Sequence, residues 1–292
     1  MRPWRWAAAS LFLAGCAHPG PAPRAQTADR VVDVGDAQMH AVLRPGRSEV
    51  VILLEAGATL DAGSWSKVIA AIEGRTDATI IAYDRAGMGR STPLATPYAI
   101  ADEVMRLHRL LDQLAQKRKL VLVGHSYGGF LIQAYANLYP AEVAGMVYVD
   151  ANTVEGIGGI AGAQKLIESI LASDAAGKAG FNDKRLAHAY VDTVHAMAAL
   201  PPPCGIPIAV VTQGDEAGGT DPAALRQWRK GHAALAARWG APLRYAPGSG
   251  HFIPEDRPDL VADAILWTVG EAGKRKHAPL PSFPPAESSC EK

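Results

Sequence analysis

A chain of 292 residues, 48% of them apolar, is long enough to bury the core of one large domain. Its 29 basic and 29 acidic side chains balance, which argues against a nucleic-acid partner because such proteins usually carry a basic patch. No segment of about 20 to 50 residues recurs, so the sequence gives no sign of a repeat architecture.

The first fifteen residues are typical of a signal peptide and are not expected to join the fold. Arg2 and Arg5 precede an apolar run over residues 6–14, which is too short to span a bilayer as a helix. The ending Leu-Ala-Gly-Cys resembles the bacterial lipobox, which implies cleavage before Cys16 and lipid attachment to that cysteine. A plain signal peptide that is cut elsewhere is the alternative. We therefore expect a protein of the bacterial cell envelope, either lipid-anchored to the bilayer on the periplasmic face or secreted.

Strands and helices are predicted to alternate between a tether, residues 16–29, and a Pro-rich tail, residues 274–292. Residues 30–46 predict a hairpin that turns at Gly35. Further strands are predicted at 49–57, 77–87, 120–123, 144–152, 207–214 and 242–250, and helices at 64–74, 98–114, 130–138, 222–239 and 257–273. The pattern predicts an α/β fold with a mostly parallel, doubly wound sheet over residues 30–273, whose ligands sit beyond the carboxyl ends of the strands.

The stretch "LVLVGHSYGG" carries the strongest functional signal. A buried strand over residues 120–123 runs into Gly-His-Ser-Tyr-Gly-Gly, and an amphipathic helix follows. Ser126 therefore lies on a tight strand-to-helix turn, with Gly124 and Gly128 allowing the two arms of the turn to pass closely. This context favours the nucleophile elbow, G-x-S-x-G, over a chance match in a loop.

The chain resembles the α/β-hydrolase superfamily over about residues 31–273. The resemblance is carried by "LLEAG", "YDRAGMGRS", "VGHSYGG" and "GSGHFIPEDRPDL". It implies an α/β-hydrolase fold and a serine hydrolase of the esterase or lipase kind. In many relatives the D-x-x-G-x-G-x-S turn is structural. Relatives also carry a cap over the active site, here the largely apolar segment of residues 154–203, inserted after the strand that ends at Asp150.

His251 is the candidate base among the nine histidines. It follows the last predicted strand on a glycine-flanked loop, and it comes last in the chain order Ser, acid, His. A histidine with a near-neutral pKa can accept the Ser126 proton and pass it to a leaving group. His125 adjoins the serine but is expected to point away from the tip of the elbow, and His232 falls within a helical pattern.

Two positions compete for the acid that would orient His251. Asp150 lies at the carboxyl end of the strand after the elbow helix, as in many haloalkane dehalogenases. Asp215 and Glu216 follow the next strand, where most relatives carry the acid in a G-x-x-D pattern. In "QGDEAGG" that pattern is out of register, so Asp150 is favoured and the other two remain alternatives.

An oxyanion hole needs two backbone N–H groups. Tyr127, directly after the nucleophile, would supply one, and Ala58, after the "LLEAG" strand, would supply the other. Many relatives have His-Gly where this chain has Ala56-Gly57. The local support of this loop is therefore unexplained by the sequence.

Together these residues predict a hydrolase that cleaves an ester-like bond of a small, partly apolar substrate through an acyl-enzyme. No metal or organic cofactor is expected, since the sequence shows neither Cys/His metal spacing nor a phosphate-binding glycine loop. A lactonase, an aminopeptidase-like enzyme, a C–C bond hydrolase and an inactive binding protein remain alternatives. Cys204 and Cys290 could form a disulfide in an oxidising compartment, or remain separate thiols.

Overall fold

The computed structural model describes residues 27–175, 184–200, 203, 205–214 and 221–274. In this part of the chain, eight strands form a single sheet in the order β1-β2-β4-β3-β5-β6-β7-β8. The strands are β1 (Ala28–Asp33), β2 (Gln38–Arg44), β3 (Val50–Glu55), β4 (Thr79–Tyr83), β5 (Lys119–His125), β6 (Val143–Val149), β7 (Ile208–Gln213) and β8 (Leu243–Ala246). The pairs from β4 through β8 are parallel, whereas β1 with β2 and β2 with β4 are antiparallel. The predicted fold class is confirmed.

Helices cover both faces of the sheet. They are α1 (Ser66–Ile72), α2 (Ile100–Leu114), α3 (Gly128–Leu138), α4 (Gly159–Ala175), α5 (Lys184–Ala198), α6 (Pro222–Trp239), α7 (Ile253–Asp256) and α8 (Pro258–Lys274). Buried side chains of α1 and α8 share one apolar cluster, and those of α2 to α6 share the cluster on the opposite face. This is the doubly wound arrangement that alternating strands and helices predict.

The central strands are largely apolar because the sheet is buried on both faces. In β3 every residue is buried: Val51 and Leu53 enter one cluster, while Ile52 and Leu54 enter the other. Successive side chains of a strand point to opposite faces, so both sets must be apolar. This explains why continuous apolar runs, without alternation, marked these strands in the sequence.

The amino-terminal hairpin forms where it was predicted. β1 and β2 pair from Ala28 with Leu43 to Asp33 with Gln38. Gly35 in the turn adopts φ +100°, a conformation that side chains other than glycine rarely adopt. The hairpin adds the antiparallel edge to an otherwise parallel sheet.

Two helices, α4 and α5, lie in the segment predicted as the cap, between β6 and β7. The inner face of α5 is apolar and includes Leu186, Tyr190, Val194 and Met197. One short helix, α7, was not predicted, because a single turn is too short to show a helical period. Within the described residues, no helix has the length and apolar character needed to cross a membrane.

Candidate active site

Ser126 lies at the tip of a sharp turn between β5 and α3. Its φ is +52°, in the left-handed region that a serine seldom occupies. The turn is fixed on both sides: the Ser126 N–H donates to the Val149 carbonyl at 3.2 Å, and the Ser126 carbonyl accepts from the Asn152 N–H at 2.8 Å. The β6 end therefore holds the elbow in its strained conformation.

The two glycines of the motif allow close backbone contacts. A Cβ added to Gly124 would lie 2.6 Å from the carbonyl oxygen of Gly128. A Cβ added to Gly128 would lie 2.6 Å from the carbonyl oxygen of Glu55 on the neighbouring strand. Both distances are far shorter than carbon–oxygen contacts normally allow. The turn therefore requires glycine at both positions.

The structure brings Ser126, His251 and Asp150 together from three separate strand ends. His251, between β8 and α7, places its Nε2 atom 2.9 Å from the Ser126 Oγ atom. Its Nδ1 atom lies 2.7 Å from the Asp150 Oδ2 atom. Since a carboxylate only accepts, Nδ1 carries the proton and Nε2 is free to accept from the serine hydroxyl. This is the geometry that nucleophile activation by a histidine requires.

Asp150 is completely buried, directly after β6. Its Oδ1 atom accepts from the Gln213 N–H at 2.9 Å, which leaves Oδ2 for His251. Burial alone would raise the pKa of Asp150. The hydrogen bond from His251, the nearby His232 and the Gln213 amide together hold the pKa of Asp150 below its usual value. The carboxylate is therefore charged and fixed beside His251.

Several predicted positions lie outside the described residues. They are the alternative acids Asp215 and Glu216, the lipidation site Cys16, and the cysteines Cys204 and Cys290. The end of β7, just before the alternative acids, contributes the Gln213 amide to Asp150.

The loop after β3, which carries Ala58, lies against the elbow. A Cβ added to Gly57 would lie 3.4 Å from the Ser126 Cβ atom. Tyr127 is at the start of α3, where the first amides of a helix have no partner within the helix. In the described part of the chain, neither the Ala58 nor the Tyr127 N–H donates a backbone hydrogen bond outside regular helices and strands. Both predicted oxyanion donors therefore border the serine.

Two further histidines contact the site, and sequence reasoning missed both contacts. The ring of His125 lies 4.9 Å from the ring of His251, and its Nε2 atom donates to the His251 carbonyl at 2.8 Å. Burial and the neighbouring His251 ring lower the pKa of His125 to about 4. His125 therefore stays neutral and fixes the backbone of the loop that bears the candidate base.

His232 of α6 is buried behind the acid. Its Nδ1 atom lies 2.8 Å from the Thr212 hydroxyl and 3.8 Å from the Asp150 Oδ1 atom, and its Nε2 atom donates to the Ala151 carbonyl at 2.8 Å. Burial lowers its pKa. The spacing of His232 from Leu225 and Leu235, seven and three residues, could have placed it on the buried face of the helix.

Known proteins similar to this chain include a provisionally named hydrolase, a probable transporter and proteins that lack an assigned function. One relative is the provisionally named carbamate hydrolase RutD of Variovorax paradoxus, 38% identical over 113 residues, which are 38% of this chain and 41% of that protein. The chain spans less than half the length of the curated relatives it matches.

Solved structures share the fold at low sequence identity. A provisionally described lipase of Acinetobacter baumannii AYE superposes with a TM-score of 0.60 at 17% identity, over 86% of this chain and 93% of the lipase. The epoxide hydrolase CorEH superposes with a TM-score of 0.56 at 17% identity, over 84% of this chain and 99% of the other. Because enzymes of different chemistry share this architecture, the likeness shows the fold alone.

A match to a family model covers most of the chain and shows its family. A model of the alpha/beta hydrolase family matches residues 50–264, which include the elbow, Asp150 and His251. The eight-stranded sheet with helices on both faces agrees with that match. The chain belongs to the alpha/beta hydrolase family.

Proposed function

We propose that the protein is a serine hydrolase that cleaves a carboxylic ester or a similar acyl bond. The observation that carries the proposal is the continuous set of hydrogen bonds from the Ser126 Oγ atom through the His251 ring to the Asp150 carboxylate, at 2.9 and 2.7 Å. Each group lies at the carboxyl end of a parallel strand, where ligands bind in such sheets. Serine at position 126 also disfavours the epoxide hydrolase and dehalogenase routes, which in this fold use a nucleophilic aspartate.

The residues act in a fixed sequence. The Ser126 Oγ atom bonds to the acyl carbon while its proton passes to the His251 Nε2 atom. The former carbonyl oxygen takes up the electron pair and is stabilised by the Ala58 and Tyr127 amides. His251 then protonates the leaving group as its bond to carbon breaks, which leaves an acyl-enzyme. Water repeats these steps with His251 as base and Ser126 as leaving group, and Asp150 stabilises the imidazolium each time.

The surroundings of the site support a partly apolar substrate. The rings of Trp228 and Phe252 each lie 5.7 Å from the His251 ring, and Phe252 is 53% exposed. Tyr190 of α5 lies 6.1 Å from the ring of Tyr127 and accepts a hydrogen bond from the Asn152 side chain at 2.6 Å. Aromatic and apolar side chains surround most small ligands in proteins, so these rings favour a substrate with an apolar part.

The test of the nucleophile uses a fluorophosphonate probe, which phosphonylates an activated serine. We expect wild-type protein to be labelled, and the Ser126→Ala variant to be folded but unlabelled, with a rate loss of several orders of magnitude. Ser249→Ala is a matched control, because Ser249 lies close in sequence to His251 but its hydroxyl contacts the Gly250 carbonyl and Asp256. Labelling of Ser126→Ala at the wild-type level would contradict the proposal.

A carbamate is the second candidate substrate, favoured by the 38% identity to the provisionally named carbamate hydrolase RutD. The same triad could attack either acyl group, so substrates must separate the two. A panel of acyl esters of increasing chain length, matched lactones and matched carbamates would rank them by kcat/KM. An inactive binding protein would turn over none of them and would resist the probe.

We also propose that the mature protein is held at the bacterial cell envelope by a lipid on Cys16. The supporting observation is the short apolar run followed by Leu-Ala-Gly-Cys, ahead of a Pro- and Ala-rich tether. The small-molecule substrate would then be hydrolysed beside a bilayer.

A further inference from the structure

A buried ion pair lies beside the elbow and has no part in the proton transfers described above. Glu55, at the end of β3, is completely buried, and Arg85, after β4, is only 3% exposed. The Arg85 Nη1 atom donates to the Glu55 Oε1 atom at 2.6 Å, and the Tyr83 hydroxyl donates to the other carboxylate oxygen. Burial raises the pKa of Glu55, and the charge of Arg85 opposes that rise. A buried ion pair is weak evidence for a stabilising role, so its position invites a functional reason.

The Nη1 and Nη2 atoms of Arg85 also donate to the loop after β3. Its Nη1 atom donates to the Ala56 carbonyl at 2.7 Å, and its Nη2 atom donates to the Ala58 carbonyl at 2.7 Å and to the Gly57 carbonyl. One guanidinium therefore binds three successive carbonyl groups. Its planar, rigid set of donors makes such a contact specific to arginine.

This contact determines where the amides of the loop point. In a trans peptide unit the C=O and the N–H point in opposite directions. The Gly57 carbonyl faces Arg85, so the Ala58 N–H of the same unit points away from the guanidinium. The loop lies beside Ser126, with 3.4 Å between the position of a Gly57 Cβ and the Ser126 Cβ atom.

The same pair also contacts the other side of the oxyanion site. The Arg85 guanidinium lies 5.9 Å from the centre of the Tyr127 ring. A Cβ on Gly128 would lie 2.8 Å from the Glu55 Cγ atom, so the pair packs directly under the start of α3. Glu55 and Arg85 thus join the two segments that carry the Ala58 and Tyr127 amides.

We propose that Glu55 and Arg85 are positioning residues that hold the Ala58 amide in place to stabilise the oxyanion, an inference that rests on the proposed serine hydrolase. Arg85 binds the carbonyl groups of the loop at Ala56, Gly57 and Ala58, and Glu55 holds Arg85 in place. This arrangement supplies the loop support that the Ala56-Gly57 sequence leaves unexplained.

The test compares two ketones that carry the same acyl chain, taken from the best ester substrate. Ser126 adds to a trifluoromethyl ketone, its proton passes to His251, and the product carries an oxyanion; the methyl ketone binds without addition. For Arg85→Lys we expect kcat and the trifluoromethyl ketone affinity to fall together by about 10- to 100-fold. The methyl ketone affinity should change by less than about twofold, because ground-state binding does not use the oxyanion donors.

A second variant and a matched control make the result specific. Glu55→Gln should cause a smaller loss in the same direction, and it tests the inference if Arg85→Lys fails to fold. Arg106→Lys alters another buried pair, with Glu103 at 2.9 Å, and should leave the ratio of the two ketone affinities unchanged.

Three results would overturn the inference. A folded Arg85→Lys variant that keeps the wild-type affinity for both ketones would remove the positioning role alone. Equal losses for both ketones would mean that the pair only maintains the fold. Wild-type protein that does not prefer the trifluoromethyl ketone would overturn the serine hydrolase itself, and the positioning role with it.

Discussion

The carboxylate of Asp150 has a defined partner for each oxygen, which makes its role testable by a single atom exchange. Oδ1 accepts from the Gln213 amide and Oδ2 from His251. In Asp150→Asn the side-chain amide would donate toward His251 and favour the wrong imidazole tautomer. We expect the rate to fall by roughly 10⁴-fold near neutral pH, with substrate binding little changed.

The alternative acids provide the controls for this prediction. Asp215→Asn and Glu216→Gln should each retain most of the activity, measured as kcat/KM on the best ester substrate of the panel. If either were inactive while Asp150→Asn remained nearly active, the acid would have to come from the segment that follows β7 in the sequence. Ser126 and His251 would keep their proposed roles in that case.

His125 predicts how the stability of the protein depends on pH. Its folded-state pKa of about 4 lies below the ordinary value of 6.5. Between about pH 6.5 and 4 the unfolded chain binds a proton there that the folded chain does not. Stability from this group is therefore complete above about pH 6.5 and falls on acidification, by about 3 kcal/mol when fully lost.

The variant that checks this is His125→Gln, whose side-chain amide can still donate to the His251 carbonyl but cannot be protonated. Urea unfolding from pH 7.5 to 4.5 should show a shallower loss of unfolding free energy in the variant than in wild type. Other titrating groups are common to both proteins and cancel in the difference. Identical pH slopes would show that His125 is not the responsible group.

The sequence predicted single residues where a motif or chain order singles them out, and failed where a contact forms across elements. Ser126 was identified by the glycines on either side of it in the G-x-S-x-G motif, and His251 by its position after the last strand. Asp150 was favoured because it ends the strand after the elbow helix and because the alternative pattern was out of register. The hydrogen bonds from Arg85 to the loop after β3 were not predicted at all. They join the ends of β3 and β4, and no local sequence pattern reveals such a contact.

At the scale of elements, the elbow depends on how closely β5, α3 and β3 pack. In Gly128→Ala the new methyl group would meet the Glu55 carbonyl at 2.6 Å and its side chain at 2.8 Å. Backbone atoms cannot move as a flexible side chain does, so the start of α3 must shift. We expect a loss of about 1–3 kcal/mol in the free energy of unfolding, together with a loss of activity.

A second glycine in a helix provides the comparison. Gly270 of α8 is exposed, and a Cβ there would meet nothing within 4 Å. Gly270→Ala should therefore stabilise the protein slightly, by about 0.5–1 kcal/mol, through helix propensity, with activity unchanged. The free energies of unfolding of both variants, measured by chemical denaturation, test this comparison. Equal changes in the two variants would refute the packing argument.

Elements were predicted well where burial is continuous and less well where it is not. The apolar runs placed β3, β5, β6 and β7 correctly, because strands buried on both faces are largely apolar. The last strand was predicted over residues 242–250 but covers only Leu243–Ala246. The remainder forms the loop that carries His251, and such strand ends are set by tertiary contacts that local patterns do not show.

At the scale of the whole molecule, alternating strands and helices were enough to predict the sheet and the edge that bears the site. The order of the strands was not predicted, since it depends on which strand ends meet in three dimensions. That order matters here, because β5 lies between β3 and β6. The elbow is thereby placed between the loop that carries Ala58 on one side and Asp150 on the other.

The proposed lipid anchor can be tested on the whole protein. Cleavage before Cys16 would remove Arg2 and Arg5, leaving 27 basic and 29 acidic side chains from the original 29 of each. Such a chain has no net positive charge to attract anionic lipids. The described residues also contain no helix suited to crossing a membrane. Attachment would then depend on the acyl chains. Two or more such chains are enough for stable anchoring, whereas a single chain binds a bilayer only weakly.

We therefore expect wild-type protein in the membrane fraction, retained in high salt because salt screens charges but not buried acyl chains. Cys16→Ser should be released to the soluble fraction or remain as an uncleaved precursor, while the proposed hydrolase activity per folded molecule is unchanged. Cys204→Ser is the matched control and should stay with the membrane. Mass spectrometry of the mature amino terminus would detect the acyl groups directly. A soluble wild-type protein with an unmodified terminus would instead support a plain signal peptide cut elsewhere and a secreted enzyme.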